Sequence, residues 1–245
     1  MKAESKKENI VAMIPARIGS ARLKMKNLAL LNDKPLISYA IEAAKDSGVF
    51  ERIILNTDNE IFKMIAERHE IELYLRPVEL GSSTTKSDHV VYDFMQKHPS
   101  DILAWVNPTS PLQPGSEIRG IIQYFLKDNL DTLITVKNEQ VHCVYDGSPV
   151  NFTRKEVFAQ TQDLKSVQPF VYSIMMWRTK TFIELYEKQG YAFFCGRVGY
   201  YPVSKETSII IKTKEDLILA DCMMKAKEKY EVKYDKIIQN LHEVK

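Results

Sequence analysis

Four cations crowd one short stretch of this chain. In IPARIGSARLKMKN, residues 14–27, a brief apolar run gives way to Arg17, Arg22, Lys24 and Lys26 around a single glycine, with Ser20 and Asn27 adding two hydrogen-bonding side chains. A loop of this kind leaving a strand can turn backbone N–H groups and cationic side chains on an anion, and phosphate is the obvious one. The spacing is neither G-x-G-x-x-G nor G-x-x-x-x-G-K-[ST], so a dinucleotide-binding Rossmann site and a P-loop both lose support. Side chains must then supply much of the positive charge. The rival reading, cations that only solvate an exposed loop, is the default for a charge run; the density of polar partners favours an anion grip.

The rest of the chain must position that loop. Its 245 residues suit one α/β domain, and Lys plus Arg (34) barely exceed Asp plus Glu (32), so a broad nucleic-acid-binding face has little support. Cys143, Cys195 and Cys222 are odd in number and far apart, which argues against a disulfide framework or a structural zinc site and fits a reducing cytoplasm. IVAMIPA is too short for a signal-peptide core or a membrane span, so a cytoplasmic protein without membrane partners is expected.

Short β-branched runs (NIVAMIP, RIILNT, IELYL, DILAWVN, DTLITV) alternate with amphipathic segments, the pattern of βαβ units around a largely parallel sheet. PLISYAIEAAKDSG has Pro35 where a helix can start and Gly48 just past its end. EIFKMIAERH, SDHVVYDFMQKH and GSEIRGIIQYFLKD read as further helices. Right-handed crossovers place the loops after these strands along one sheet edge, where open α/β folds bind ligands. The rhythm changes after residue 137: VHCVYDGSPVNF reads as a hairpin around Asp146 and Gly147, inside a β-rich insertion over about 138–175. A charged, amphipathic C-terminal stretch from Lys214 to about His242 reads as a surface helix. The histidines form no spaced metal-ligand pair, Met175, Met176 and Trp177 read as core, and no serine or cysteine sits in a nucleophile elbow.

IPARIGSARLKMKN also resembles the signature of the CMP-sialic acid synthetase (acylneuraminate cytidylyltransferase) family and, more distantly, of the CMP-KDO synthetases. LNTDNEIFKMIAERHEIELYLRP, ELGSSTTKSD and NPTSPLQ match further family segments in order, and the resemblance runs from about residue 9 to 225. It implies a three-layer α/β/α sandwich of the nucleotide-diphospho-sugar transferase type, in which the first loop embraces the triphosphate of CTP. The anomeric hydroxyl of an acidic, nonulosonic-type sugar then attacks the α-phosphate and releases pyrophosphate, for surface-glycan synthesis. Carried over by position, Arg17, Ser20, Arg22, Lys26 and Asn27 contact the nucleotide, with Arg17 and Lys26 stabilising the charge that builds on the phosphoryl oxygens. Arg76, Asn107, Thr109 and Ser110 line the base and ribose; the rival for Thr109 and Ser110 is that they satisfy the turn's own backbone. A homodimer is implied too, the insertion packing on the partner and closing its acceptor pocket.

Two segments depart from the family. Its magnesium-binding strand reads D-I-D-T-x-x-D-L, and this chain has IIKTKEDL, with Ile210 and Lys212 where the two aspartates belong. Neither side chain can ligate a hard cation. Three readings stay open: Lys212 itself neutralises phosphate charge and so counts among the catalytic residues; a metal is held by the nucleotide with Asp58, Glu206 or Asp216; or the chain is a nucleotide-binding homologue that catalyses little. On the acceptor side, the family's Asn-Gly pair is replaced near Tyr172 and Ser173 in FVYSIMMW, while Lys137, Gln162 and Tyr172 remain as candidate acceptor contacts. A nucleotidyltransferase with a different acceptor is therefore a further alternative.

Overall fold

In the computed structural model, which describes residues 7–227 and 230–232, the apolar runs fold into one seven-stranded sheet. In chain order, β1 is Ile10–Ala16, β2 Leu30–Leu31, β3 Lys34–Pro35, β4 Arg52–Thr57, β5 Glu72–Leu75, β6 Ile102–Val106 and β7 Thr132–Val136. The later strands are β8 Val144–Tyr145, β9 Ser148–Pro149, β10 Phe170–Arg178 and β11 Val198–Pro202. The helices are α1 Leu36–Ser47, α2 Lys63–Arg68, α3 Ser87–Lys97, α4 Gly115–Lys127, α5 Thr179–Gln189 and α6 Lys214–Lys227. The sheet order is β11-β7-β10-β6-β1-β4-β5, and β10 alone runs against its neighbours β6 and β7.

β1 sits at the centre, paired in parallel with β4 and β6, and its run IVAMIPA is buried on both faces, which is why it reads as continuous apolar sequence rather than as alternation. One face of the sheet packs Ile37, Ile41, Ile118, Ile121 and Phe125 of α1 and α4, together with Phe62 and Ile65 from the α2 region. The other packs Val91 and Phe94 of α3 and Phe182 of α5 against Val11, Met13 and Leu103. These are the three layers. α1 begins after Pro35 and stops at Gly48, whose φ of 65° is the left-handed helix end that glycine takes without a Cβ clash. α4 crosses α1 so closely that a Cβ on Gly115 would lie 2.8 Å from the Ala43 carbonyl oxygen. Met175, Met176 and Trp177 are core residues of β10.

The stretch 138–175 divides. Residues up to 169 leave the sheet and carry the expected hairpin, β8 and β9 around Asp146 (φ 47°) and Gly147 (φ 73°), the positive-φ pair that tight hairpins require. From Phe170 the chain is β10, so its last residues belong to the main sheet rather than to the insertion. Before that point the excursion is more loop than strand: apart from the hairpin, the described pairing is a single bridge between Glu139 and Val167. α6 begins at Lys214 as the helical pattern indicates, held by Ala220 against Leu31, Leu36 and Ile211; the part of that expectation running to His242 lies outside the described residues.

Candidate active site

All the loops of interest leave one edge of the sheet. β1, β4, β5 and β6 end there at Ala16, Thr57, Leu75 and Val106, and antiparallel β10 begins there. The chain after β1 swings out through residues 17–25, passes Met25 in the left-handed region (φ 49°) and closes in a 3-10 turn over Lys26–Leu28. Both ends of this loop are tied down. The Ile18 N–H donates to Asp58 Oδ1 at 3.0 Å, Asn27 Nδ2 donates to the Arg17 carbonyl at 3.4 Å, and Lys26 Nζ donates to the Ile211 carbonyl at 3.0 Å. Gly81 packs against the same aspartate, so that an added Cβ would meet Asp58 Oδ2 at 2.1 Å.

A cleft of about 400 Å³ opens between this loop and the loops after β5 and β6. Arg17, Ser20, Arg22, Lys26 and Asn27 line one side of it. Arg76, Asn107 and Thr109 line it from the neighbouring strand ends. Residues from four separate stretches of sequence thus meet, including Ser82, Ser83, Thr85 and Ser87 from the segment 78–87, which sequence reasoning assigned no role. That hydroxyl-dense run, SSTTKS, was visible as a motif, but only folding sets it opposite the cations.

The electrostatics are one-sided. Burial, with the charges of Arg22, Arg17 and Lys212, draws the Lys26 ammonium down to about 8 against the opposing pull of Asp216. Arg76 is 5 % exposed, its Nε has no hydrogen-bond partner and its Nη1 reaches the Asn56 carbonyl only at 3.5 Å. Burial lowers its pKa as well, partly offset by Asp58. Such a buried, underused guanidinium beside a second one is costly unless an anion or a carbonyl-rich ligand comes to it.

Asn107 organises its turn: Oδ1 accepts from Thr109 N at 3.1 Å and Thr109 Oγ1 at 2.8 Å, while Nδ2 donates to the Tyr172 carbonyl at 3.0 Å. Ser110 is buried and donates to the Thr207 carbonyl at 2.9 Å, away from the cleft lining. Of the acceptor-side residues, Lys137 pairs with Glu139 at 2.6 Å, and Gln162 lies exposed in a short turn over Thr161–Asp163, contacting Gln160. Tyr172 is half-exposed beside Asn107 and has a φ of 59°, a conformation that an aromatic residue rarely adopts.

The magnesium implied by the resemblance does not fit the residues present. Ile210 is packed on the core. Asp216 Oδ2 accepts from the Lys212 and Thr213 N–H groups, each at 2.8 Å, closing the start of α6. Burial pushes its carboxyl up, but these N–H groups outweigh that and hold it below the usual range. Asp58 holds the first loop, and Glu206 lines a separate pocket with Leu112, Met223 and Met224. Among the described residues no group of three or more His, Cys, Asp or Glu side chains is arranged to hold a metal ion. No described helix is long and apolar enough to cross a membrane, and the described cysteines are all free.

The sheet order, the lone antiparallel strand and a cleft at the carboxyl edge define a nucleotide-diphospho-sugar transferase-like α/β fold. More narrowly, the chain belongs to the cytidylyltransferase family, whose model matches residues 11–240. It is similar to the N-acylneuraminate cytidylyltransferase of Escherichia coli O18:K1:H7, with 29% identity over 95% of this chain and 55% of that protein. It is also similar to the CMP-N,N'-diacetyllegionaminic acid synthase of Legionella pneumophila, with 35% identity over 46% of this chain and 52% of that protein. The chain spans about half the length of the curated relatives it matches. Among solved structures it superposes on CMP:2-keto-3-deoxy-manno-octonic acid synthetase complexed with CTP with a TM-score of 0.70, at 15% identity over 89% of this chain and 99% of that one. It superposes on 4-diphosphocytidyl-2C-methyl-D-erythritol synthase from Anaerococcus prevotii with a TM-score of 0.66, at 16% identity over 90% and 100% of the two chains; likenesses at this identity speak for the fold.

Proposed function

We propose that this protein couples CTP to an acidic sugar of the nonulosonic type, giving a CMP-sugar and pyrophosphate. The observation that carries the reading is the cleft itself, where Arg17, Arg22 and Lys26 face Arg76 and Asn107 across a space at the sheet edge. In this reading Arg17, Ser20, Arg22, Lys26 and Asn27 hold the triphosphate, and Arg76, Asn107 and Thr109 bind base and ribose, with Ser110 supporting that turn from behind. The acceptor hydroxyl attacks the α-phosphorus; a new P–O bond forms as the bond to the α–β bridging oxygen breaks. The leaving electron pair stays on pyrophosphate and the hydroxyl proton passes to solvent. Arg17 and Lys26 act as the cations that stabilise the transferring group, which needs positioning and charge more than covalent help.

In this reading Lys137, Gln162 and Tyr172 contact the acceptor, Lys137 exchanging its Glu139 partner for the sugar carboxylate. The excursion over 138–169 is assigned to homodimer contacts that close this side, within a cytoplasmic enzyme serving surface-glycan synthesis. The test is CTP-dependent pyrophosphate release across a panel of keto-acid sugars; no release with any of them, with or without magnesium or manganese, sinks the reading. A second reading, a nucleotide-binding homologue that catalyses little, is favoured by Ile210 and Lys212 and predicts CTP binding in calorimetry with no turnover on the same panel.

A further inference from the structure

Resting on the nucleotide reading above, we propose that the triphosphate is held by the protein's own cations, Arg17, Arg22, Lys26 and Lys212, with no divalent metal ligated by the chain. Three observations converge. The segment that departs from the family is joined to the basic loop, because Lys26 Nζ donates to the carbonyl of Ile211, the residue between the two altered positions. That bond fixes the backbone carrying Lys212 beside the cleft, and Ile211, fully buried against Leu31 and Leu36, fixes it from behind. Lys212 itself is exposed and its charge reaches Lys26.

The nearby carboxylates are engaged elsewhere. Asp216 spends Oδ2 on the N–H groups of Lys212 and Thr213, and Asp58 spends Oδ1 on Ile18. A site assembled this way presents cations where a metal site would present carboxylates. Its preference follows from charge: magnesium neutralises two of the charges on the triphosphate, so a site in which cations outnumber the nearby Asp58 and Asp216 attracts the free nucleotide at least as strongly as the magnesium complex. A site with carboxylate ligands has the opposite preference.

Calorimetric titration of the full chain with CTP, once in EDTA and once in excess magnesium, separates the two. Affinity in EDTA equal to or tighter than in magnesium is the expected result, and affinity tightened by magnesium overturns the proposal while leaving the nucleotide reading standing. Absence of CTP binding under both conditions removes the nucleotide reading and this proposal with it. Lys212→Met should weaken CTP binding in EDTA about tenfold, the size of one lost charge-assisted contact, and leave CMP binding unchanged, whereas Lys212→Arg retains the CTP affinity. Equal weakening for CMP and CTP, or none for either, overturns the part assigned to Lys212. The double variant Ile210→Asp with Lys212→Asp should reverse the preference, binding CTP more tightly in magnesium than in EDTA; an unchanged preference speaks against charge at these positions as its cause.

Discussion

The loop that carries Arg17 is fastened to the main sheet and to the start of α6, by Ile18 to Asp58 and by Lys26 to Ile211, whereas the excursion that carries Gln162 closes mainly on itself. Its neck is the Lys137 N–H to Pro169 carbonyl bond and the Glu139–Val167 bridge, and inside it Asn151 donates to the carbonyls of Val141 and Lys165. The cleft is therefore built from strand ends whose positions the core dictates, while the excursion is free to differ without disturbing that core. Gln162 lies within the excursion, whereas the departures near Tyr172 fall on β10, at the point where the excursion rejoins the main sheet.

The largest test of this contrast is Arg76→Met. Removing a buried, underused guanidinium should raise the melting temperature of the unliganded protein while weakening CTP binding by about 2 kcal/mol, since a charged hydrogen-bonding group is lost from the ligand but a desolvation cost is lifted from the fold. A fall in both stability and affinity would mean that Arg76 is chiefly structural.

Next in size is a pH effect on the cleft side alone. Lys26 titrates near 8 when the site is free, and a bound triphosphate favours its charged form, so binding takes up a proton above that pH. CTP affinity should be level below pH 8 and then fall by up to about tenfold per pH unit. Titrations from pH 6.5 to 9.5 check the sign, and Lys26→Met should flatten the profile as well as weaken binding.

On the other side, Lys137→Gln should leave CTP affinity untouched and raise the KM for an acidic acceptor on the order of tenfold, the scale of one carboxylate contact. An equal change in both constants would erase the division between the two regions. The smallest effect expected is from Tyr172→Asn. Asn tolerates the left-handed region far better than an aromatic residue, so relief of this backbone should add about 0.5–1 kcal/mol to stability in denaturant titration. A loss of stability instead would show that the tyrosine ring, edge-on to Phe170 at 5.4 Å, outweighs the backbone cost.

Much of this was legible in the linear chain. RIILNT marks β4 residue for residue, and Pro35 and Gly48 bracket α1, because parallel core strands read as unbroken apolar runs and helix ends have few chemical solutions. β10 was harder, since FVYSIMMW gives no sign of direction: whether a strand runs parallel or antiparallel depends on where its neighbours lie. The same limit misplaced the end of the insertion. Arg17 and Arg22 announced an anion grip through charge density, Arg76 was marked only by the family resemblance, and the hydroxyl run ending at Ser87 was visible but carried no sign that it would line the same cleft.

The sequence by itself determined the family, the alternation of strand and helix, the cationic loop and the absence of aspartate at positions 210 and 212, because each is a matter of residue type and short spacing. The tertiary structure alone decided that Lys26 reaches Ile211, that Asp216 is taken up at the start of α6 and that Arg76 lies buried without a full set of partners. The Lys26 and Arg76 arrangements join residues far apart in the chain, and no local preference encodes a distance that only the closing of the sheet creates; the Asp216 contacts are local, three and four residues apart, but the residue types alone do not say whether that carboxylate closes the helix start or faces the cleft.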